Sequence, residues 1–423
     1  MRNKLFGGIT AVTVILFSVG QAAAQIGSGS GSGGLSDSGG LPGSPGESSI
    51  IPFGGGGGAV PLPLANPGGH GFYTFAEMVY YAQSWTLGDQ IVAYRGLVDA
   101  QGVLTGAPGL YLGSGVPALT SAEFGRRTFL PGLNIGVGYK LEDGTSFHAR
   151  YLSLGRQDYN RSATLVPPSF RSRLDLADTY LVSNVYNFPS QYAGPAVKTA
   201  FEGITLPDGR IVPDGTFYGI WNGASTMTIT YTQRYSEAEI GARSPLFTTE
   251  YSKIYAMAGG RFNWFFERFK WYTQSQDLAG NTGPIFQATY ENTLSQRMYG
   301  PYLGFAHDVY LGNRFAVSSE LTGALSLSVN KERAKYSLDD DSISAKRSRN
   351  DFTLVPQVGG SINLLWYPLA GVQMRVGYTI NTFWNTRNIQ DPIGFDMGAI
   401  EPVYSNQTFR MIHGLNVGIG VFF

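Results

Sequence analysis

The side chains that could perform acid–base chemistry are few and scattered along the chain. The four histidines are His70, His148, His307 and His413, and His307 is followed directly by Asp308. Consecutive residues of a strand point to opposite faces, so His307 and Asp308 cannot pair with each other within one strand. A hydrolase needs a nucleophile and a base within hydrogen-bond reach, and no local spacing here indicates such a pair. We therefore expect no catalytic residue and no enzyme, and a hydrolase that uses His148 or His307 is the less favoured alternative.

Metal and cofactor sites are not indicated either. The chain has no cysteine, which excludes disulfides and thiolate metal sites, and its histidines lack the spacing of metal ligands. The acidic run 339–341 lies in an expected loop and is more typical of a solvated tip than of a calcium site. The glycine-rich runs 27–34 and 54–58 lack the Gly-Lys-Ser/Thr and the following helix of a phosphate-binding loop. The expectation is no metal and no cofactor.

Charged residues that alternate with apolar residues are a more informative set. An Arg or Lys that faces lipid at the bilayer midplane costs roughly 2 to 4 kcal/mol, so charges on membrane strands should point into a lumen. This predicted lumen set is Glu77, Lys140, Arg150, Arg261, Glu320 and Arg375. It would form either a charged channel constriction or a network of ion pairs that fills the barrel. A barrel of about ten strands lies near the size that side chains alone can fill, which favours the filled or narrow lumen.

The N-terminal residues have the organisation of an export signal. A basic start (1–4) precedes the apolar run 9–19 and the small residues 22–24, which predicts a signal peptide over residues 1–24. The apolar run is shorter than the ~20 residues that a transmembrane helix needs. Residues 25–70 are rich in Gly, Ser and Pro and predict a disordered linker. The remaining residues, 71–423, are expected to form the folded domain.

The composition favours a membrane barrel. Charged residues make up 14% of the chain, which also contains 57 glycines, 26 phenylalanines and 25 tyrosines, whereas soluble proteins carry ~25% charge. The formal net charge is zero, so a nucleic-acid partner is not indicated. No segment after the signal has about eighteen consecutive apolar residues, and only helices and closed barrels satisfy every backbone group in lipid. We expect an all-β antiparallel transmembrane barrel in contact with the lipid of a bacterial outer membrane.

Period-two alternation locates the strands of this barrel. Short turns are expected at Asp143-Gly144, Ser244-Pro245, Gly312-Asn313 and Leu369-Ala370, and longer connections alternate with them. Short periplasmic turns, long external loops and an even strand number place both termini in the periplasm. The predicted strands are 72–87, 128–141, 145–157, 226–242, 251–266, 299–311, 314–329, 351–367, 371–386 and 408–423. That pattern gives about ten strands, and eight and twelve stay open.

Three irregularities qualify this assignment. The apolar register slips between Tyr231 and Ile240, which predicts a β-bulge. Residues 265–272 could extend the fifth strand or form a separate element. The segments 88–127 and 158–225 are too long for bare loops and could carry extra strands or a small cap. An alternative function follows from them, namely a structural or surface-display barrel that binds external partners through these loops.

Aromatic residues near the strand ends are expected to form the girdles at the membrane interfaces. The predicted girdle set is Trp85, Trp264, Trp366, Trp384 and Phe423.

Several segments resemble one family of bacterial outer-membrane proteins. These are 352–359, 376–378, 383–384 and 413–418 near the C-terminus, 299–304 in the middle, and Ala76-Glu77 with Tyr80-Tyr81 at the start. Together they resemble the beta-barrel porin-7 family over about residues 72–423. The resemblance implies a porin-like barrel, with a narrow or plugged pore for small solutes. It also implies that the last strand, which ends at Phe423, is recognised by the barrel-assembly machinery.

Overall fold

The computed structural model describes residues 70–99, 110–125, 128–164, 179–187, 219–222, 224–249, 251–275, 282–400 and 407–423. All of the described residues belong to one unit of the chain, Gly57–Phe423. The predicted signal peptide (1–24) lies outside the described residues, and so does the predicted linker (25–70) apart from His70.

Strands dominate the described residues. One helical turn, α1 (Gly219–Asn222), and two short 3-10 turns, Ser121–Phe124 and Pro284–Phe286, complete the secondary structure of this part of the chain. The strands are β1 (Gly71–Gln83), β2 (Ile91–Asp99), β3 (Leu110–Thr120), β4 (Leu130–Lys140), β5 (Ser146–Leu154), β6 (Gln157–Thr164), β7 (Thr179–Val182), β8 (Thr226–Thr248), β9 (Ser252–Gln274), β10 (Gln287–Gly312), β11 (Phe315–Leu338), β12 (Ser344–Leu369), β13 (Val372–Arg387) and β14 (Gln407–Phe422).

Ten of these strands close into a ring. The order is β5–β4–β1–β14–β13–β12–β11–β10–β9–β8, and a β5–β8 pairing joins the two ends. Every pairing in the ring is antiparallel. A closed ring leaves no sheet edge unpaired, which is the condition for a sheet in lipid. The prediction of an all-β antiparallel barrel with about ten strands is confirmed.

The short connections lie together at one end of the barrel, called here the turn end, and the long connections lie at the opposite loop end. Gly144, Gly312 and Gly371 have positive φ angles of 87°, 86° and 76°, which glycine adopts without steric cost. The predicted turn at Ser244-Pro245 is wrong, because β8 continues to Thr248. Its ladder with β9 shifts register between Pro245 and Phe247, and such irregularities tolerate a proline.

The bulge expected between Tyr231 and Ile240 is also wrong. Pairing of β8 with β9 is unbroken from Thr226 to Pro245. Met227 and Tyr231 are buried on the inner face near the loop end, where the outer face carries threonines, whereas Ile240 on the outer face is 72% exposed. The apolar face therefore changes from inner to outer along one straight strand. The physical reason is a change of surroundings outside the barrel, from water near the loop end to lipid near the turn end.

The same inversion explains why the strands are longer than predicted. Strands β10 and β12 each have 26 residues, and their loop-end parts carry polar residues outward. The apolar outer surface ends at one row of paired residues, Trp264, Arg297, Val329 and Phe352, called here the boundary row. Toward the turn end from this row, Leu303 and Phe305 are 69% and 60% exposed. Such an apolar exterior fits a membrane-spanning barrel.

The two long segments carry structure, as expected. Strands β2 and β3 lie in 88–127 and pair in a separate three-stranded sheet with β7. Strands β5 and β6 pair with β8 one after the other. Between these two pairings, the three residues 154–156 lie opposite only Arg234 and Tyr235. The one extra residue therefore lies between β5 and β6 and not in β8. No helix in the described part of the chain is long and apolar enough to cross a membrane.

Candidate functional site

A cavity of about 240 Å³ occupies the turn-end half of the lumen. Its lining reaches the first turn at Gly144 and the last strand at Phe422. All six predicted lumen residues line it: Glu77, Lys140, Arg150, Arg261, Glu320 and Arg375. The structure thus brings all six residues to one cavity, and it adds how they pair.

A network of ion pairs closes the inner part of the cavity. The Arg150 Nη2 atom lies 2.9 Å from Glu237 Oε1 and 2.9 Å from Glu239 Oε2. Arg261 Nη2 lies 2.7 Å from Glu239 Oε2, and His148 Nε2 lies 3.1 Å from Glu239 Oε1. The side chains of both glutamates are only 2% exposed. Two arginines thus compensate two buried carboxylates, which otherwise would be costly to desolvate, and His148 adds a hydrogen bond to Glu239.

A second pair crosses the other side of the lumen. Arg375 Nη1 donates to Glu77 Oε1 at 2.8 Å, and Asn134 Nδ2 donates to Glu77 Oε2 at 2.7 Å. Glu77 and Asn134 are directly opposite each other on β1 and β4. The inward alternation of β1, β4 and β13 therefore brings these three polar groups together.

The turn-end part of the cavity has an excess of cations. Arg243 Nη2 lies 2.7 Å from Asp308 Oδ2, and Arg243 Nη1 lies 3.8 Å from Glu320 Oε1. Ser318 Oγ donates to Asp308 Oδ1 at 2.6 Å. Lys140 and Lys253 also line the cavity, and neither forms an ion pair with a described residue.

An apolar layer closes the lumen beyond the ion pairs. Phe265 and Phe383 meet edge to face with ring centroids 5.0 Å apart, and Tyr235 lies 4.8 Å from Phe265. None of the three is more than 1% exposed. The layer consists of Val79, Tyr81, Leu152, Leu154, Tyr235, Phe265, Met298, Val355, Phe383 and Ile412. The Tyr235 hydroxyl donates to Glu237 Oε2 at 2.7 Å and so joins this layer to the ion-pair network.

A fully buried ion pair lies next, toward the loop end. Arg410 Nη1 donates to Glu267 Oε1 at 2.6 Å and Arg410 Nη2 to Glu267 Oε2 at 2.8 Å. Glu267 Oε1 also accepts from Thr86 Oγ1 at 2.8 Å and from the Tyr231 hydroxyl at 2.9 Å. Both members of the pair are 0% exposed. Bidentate geometry and extra donors satisfy the charges in a site from which water is excluded.

The loop-end half of the lumen is filled by a larger apolar core. Trp221 and Trp271 meet with ring centroids 5.0 Å apart, and both are 0% exposed. Strands of the barrel and residues of the two long segments contribute to this core together, including Leu119, Phe124, Leu181 and Ile220. Three successive barriers, namely the apolar layer, the buried ion pair and this core, therefore separate the cavity from the loop end.

Several lumen residues were missed in the sequence. Glu237 and Glu239 lie in the stretch of β8 that was interpreted as a bulge, so their inward parity was not used. Glu267 falls one residue after the predicted end of β9, and Arg243 one residue after that of β8. These residues can be located by counting every second residue inward along each whole strand. The count must continue past the point where the apolar face changes from outer to inner.

Four of the five predicted girdle residues lie on the outer face. Trp264 lies in the boundary row, Trp366 is 41% and Phe423 is 74% exposed, and Trp384 packs against Phe409 with ring centroids 5.5 Å apart. Trp85 does not lie on the outer face. It packs against Tyr159 and Tyr231, with ring centroids 4.9 and 5.2 Å from its own. Strand β1 ends at Gln83, so Trp85 lies beyond the strand and joins the loop-end core.

The histidines do not converge. His148 faces the lumen, His413 bonds the Tyr378 hydroxyl at 2.6 Å, and His70 lies 3.9 Å from Glu142 at the turn end. His307 Nε2 lies 2.8 Å from Ser252 Oγ, a serine–histidine contact that the sequence analysis did not identify. Asp308 points into the lumen, away from His307, as strand parity predicted. Within the described ranges, no group of three or more His, Asp or Glu residues could hold a metal ion.

The fold and the lumen together define a ten-stranded membrane barrel whose interior is filled over most of its length. No protein-family model matches the chain, and no curated protein matches it, so the porin-7 resemblance stays a prediction. Solved structures do match. The outer-membrane protease OmpT from Escherichia coli aligns at 9% identity with a TM-score of 0.40, over 84% of this chain and 97% of that one.

Two further matches are weaker in superposition. A Pseudomonas aeruginosa FadL homologue aligns at 8% identity and a TM-score of 0.25, over 84% of this chain and 90% of that one. The Pseudomonas putida toluene transporter TodX aligns at 10% identity and a TM-score of 0.19, over 86% of this chain and 91% of that one. At these identities and scores, the matches assign no residue role or substrate to this chain.

Proposed function

We propose that this chain is a plugged β-barrel of a bacterial outer membrane, which holds a folded loop-end body at the cell surface. The observation that carries the proposal is the filled lumen, in which the side chains of the apolar layer and of the Arg410–Glu267 pair are buried across the inside of the barrel. An open aqueous channel needs roughly 16 to 18 strands, and this ring has ten. The proposal thus keeps the predicted plugged barrel and favours the structural or surface-display alternative over transport.

The loop-end body supports the same function. It is built from the long strands of the barrel together with β2, β3, β6 and β7, and it has its own apolar core. A rigid, packed body beyond the boundary row suits presentation of a surface to partners outside the cell. The long segments 88–127 and 158–225 would supply that surface.

A second function has one specific observation in its favour. The cavity at the turn end holds about 240 Å³ and carries charged groups, which suits a narrow pore or a binding chamber for small solutes. A hydrolase is less favoured, because the Ser252–His307 pair lacks a described carboxylate to orient the ring, and Asp308 faces the other side of the strand.

Orientation in the membrane tests the proposal directly. An epitope inserted after Asp340, at the tip between β11 and β12, should be detected by antibody on intact cells. The matched control carries the same epitope after Gly144, in the turn between β4 and β5, and should be detected only after the outer membrane is permeabilised. Detection of the Gly144 epitope alone on intact cells, or recovery of the protein in the soluble fraction, would contradict the proposal.

A further inference from the structure

A set of cations lies on the outer surface directly beyond the apolar band. Arg297 belongs to the boundary row and is exposed, and Lys331 lies two residues beyond Val329 on the next strand. Arg268 and Arg333 are both paired with Thr293, one on either side of it. These four residues, Arg268, Arg297, Lys331 and Arg333, are called here the basic belt.

Three of the four cations of the basic belt have no anionic partner among the described residues. Arg297, Lys331 and Arg333 form no ion pair or side-chain hydrogen bond with any residue in the described part of the chain. The one acidic contact is Glu291, which lies 3.9 Å from Arg268. Strand pairing places Arg297 diagonally from Lys331, a separation of about 7 to 8 Å that is within reach of long side chains. Like charges this close repel each other unless an anion is bound between them.

The heights of Arg297 and Lys331 match the headgroup layer of a bilayer, and Arg268 and Arg333 lie just beyond that layer. Residues of a strand are about 3.3 Å apart, so Lys331 lies about 7 Å and Arg333 about 13 Å along the strand beyond the boundary row. The strands of such barrels tilt by about 35 to 45°, so along the membrane normal Lys331 lies about 5 Å and Arg333 about 9 to 11 Å beyond the boundary row. A headgroup layer of about 5 to 8 Å follows from the difference between the thicknesses of the bilayer and of its hydrocarbon core.

The belt also lies on one side of the barrel. Strands β9, β10 and β11 carry it, whereas the outward residues near the loop end of β13, β14 and β1 are Trp384, Phe409 and Tyr80. Such a distribution is not needed for solubility, which would favour charge all round. It fits one bound molecule with more than one anionic group.

We infer that the basic belt binds the phosphate groups of a lipid in the membrane leaflet at the loop end. The inference rests on the proposed function for the identity of that leaflet, which in a bacterial outer membrane is the one rich in phosphorylated glycolipid. Arg297 and Lys331 contact the first phosphate, and Arg268 and Arg333 contact phosphate groups farther from the acyl chains. Guanidinium groups suit this role because their paired donors match phosphate oxygens.

Lipid binding to the refolded full chain in uncharged detergent micelles tests this inference. The probe is lipid A with two phosphate groups, compared with dephosphorylated lipid A and with inorganic phosphate. We expect the Arg297→Gln/Lys331→Gln variant to bind lipid A about tenfold more weakly or worse. The matched control is Lys335→Gln/Lys346→Gln, two outward lysines that are paired with each other about 20 Å beyond the boundary row. That control should bind like the unmodified protein, and Arg297→Lys should retain most of the affinity.

Three results would overturn the inference. They are equal binding by the two double variants, equal binding of dephosphorylated lipid A, and displacement of lipid A by inorganic phosphate at an equal concentration. Heat-modifiable migration on a detergent gel, measured on the same preparations, reports folding of each variant. If the protein folds and inserts into vesicles but binds lipid A equally with and without its phosphates, only the inference about the basic belt is overturned. If the protein does not insert into vesicles, the proposed function is overturned.

Discussion

Arg410 and Glu267 form a two-pronged ion pair in the middle of the barrel, with nitrogen–oxygen distances of 2.6 and 2.8 Å. Neither side chain is exposed to solvent. Arg410 lies on β14 and Glu267 on β9, strands on different sides of the ring. The pair therefore spans the lumen and ties its two sides together between the apolar layer and the loop-end core.

Removal of one partner of this pair should be far more harmful than removal of both. Arg410→Ala leaves Glu267 buried without its cation, which costs about 3 to 5 kcal/mol. In the double variant Arg410→Met/Glu267→Gln, the charges are absent, and the amide oxygen can still accept from Thr86 and Tyr231, so stability should stay near that of the unmodified protein. Urea unfolding in detergent micelles measures both. Equal destabilisation by the single and the double variant would show that an uncompensated buried charge is not the cause of the loss of stability.

The inversion of the apolar face predicts opposite responses at two positions on one strand. Ile240 and Thr230 both face outward on β8, ten residues apart. Ile240→Arg places a charge toward lipid and should cost up to about 2 to 4 kcal/mol. Thr230→Arg places the same charge in water and should change stability by less than about 0.5 kcal/mol. Unfolding from lipid vesicles compares the two, and a similar cost for both would place the lipid boundary elsewhere.

Phe423 should affect assembly in cells more than stability. Its side chain is 74% exposed on the outer surface, and its backbone N–H donates to the Phe72 carbonyl at 2.8 Å. If the last strand is the recognition signal for the barrel-assembly machinery, Phe423→Ala should lower the amount of heat-modifiable barrel in cells. Refolding in detergent should be unchanged.

Phe72 provides the control for that experiment, because it is also aromatic, 67% exposed and on the neighbouring strand. Phe72→Ala removes the same kind of lipid contact and should leave assembly in cells near normal. If both substitutions lower assembly equally, the effect belongs to the membrane interface and not to a terminal signal.

Period-two alternation in the sequence was enough to predict the ten barrel strands and the inward set from Glu77 to Arg375. Alternation works there because the outer surface faces lipid and the inner surface is polar, so the two faces differ chemically. Toward the loop end from the boundary row, the inner face becomes apolar and the outer face becomes polar. The same rule therefore ended β9 at residue 266 and began β10 at residue 299, although β9 continues to Gln274 and β10 begins at Gln287.

The pairing inside the lumen could not be predicted from the sequence. Arg150, Arg261 and Glu239 come from three strands, and their contact depends on barrel closure and on the register of each pair. Trp85 was predicted to lie in the aromatic girdle, but it lies in the loop-end core because β1 ends two residues before it, at Gln83. Extra strands in the two long segments were expected, but their bounds were not predicted, because neither segment has a regular alternation of apolar and polar residues.

Single-channel recording in planar lipid bilayers tests the central claim most directly. The refolded chain, with its folding verified by heat-modifiable migration, should insert without stepwise conductance at either polarity, because the apolar layer around Phe265 and Phe383 excludes water and ions. Recurrent conductance steps of uniform size would contradict the plugged barrel and would favour the narrow pore that the charged cavity allows.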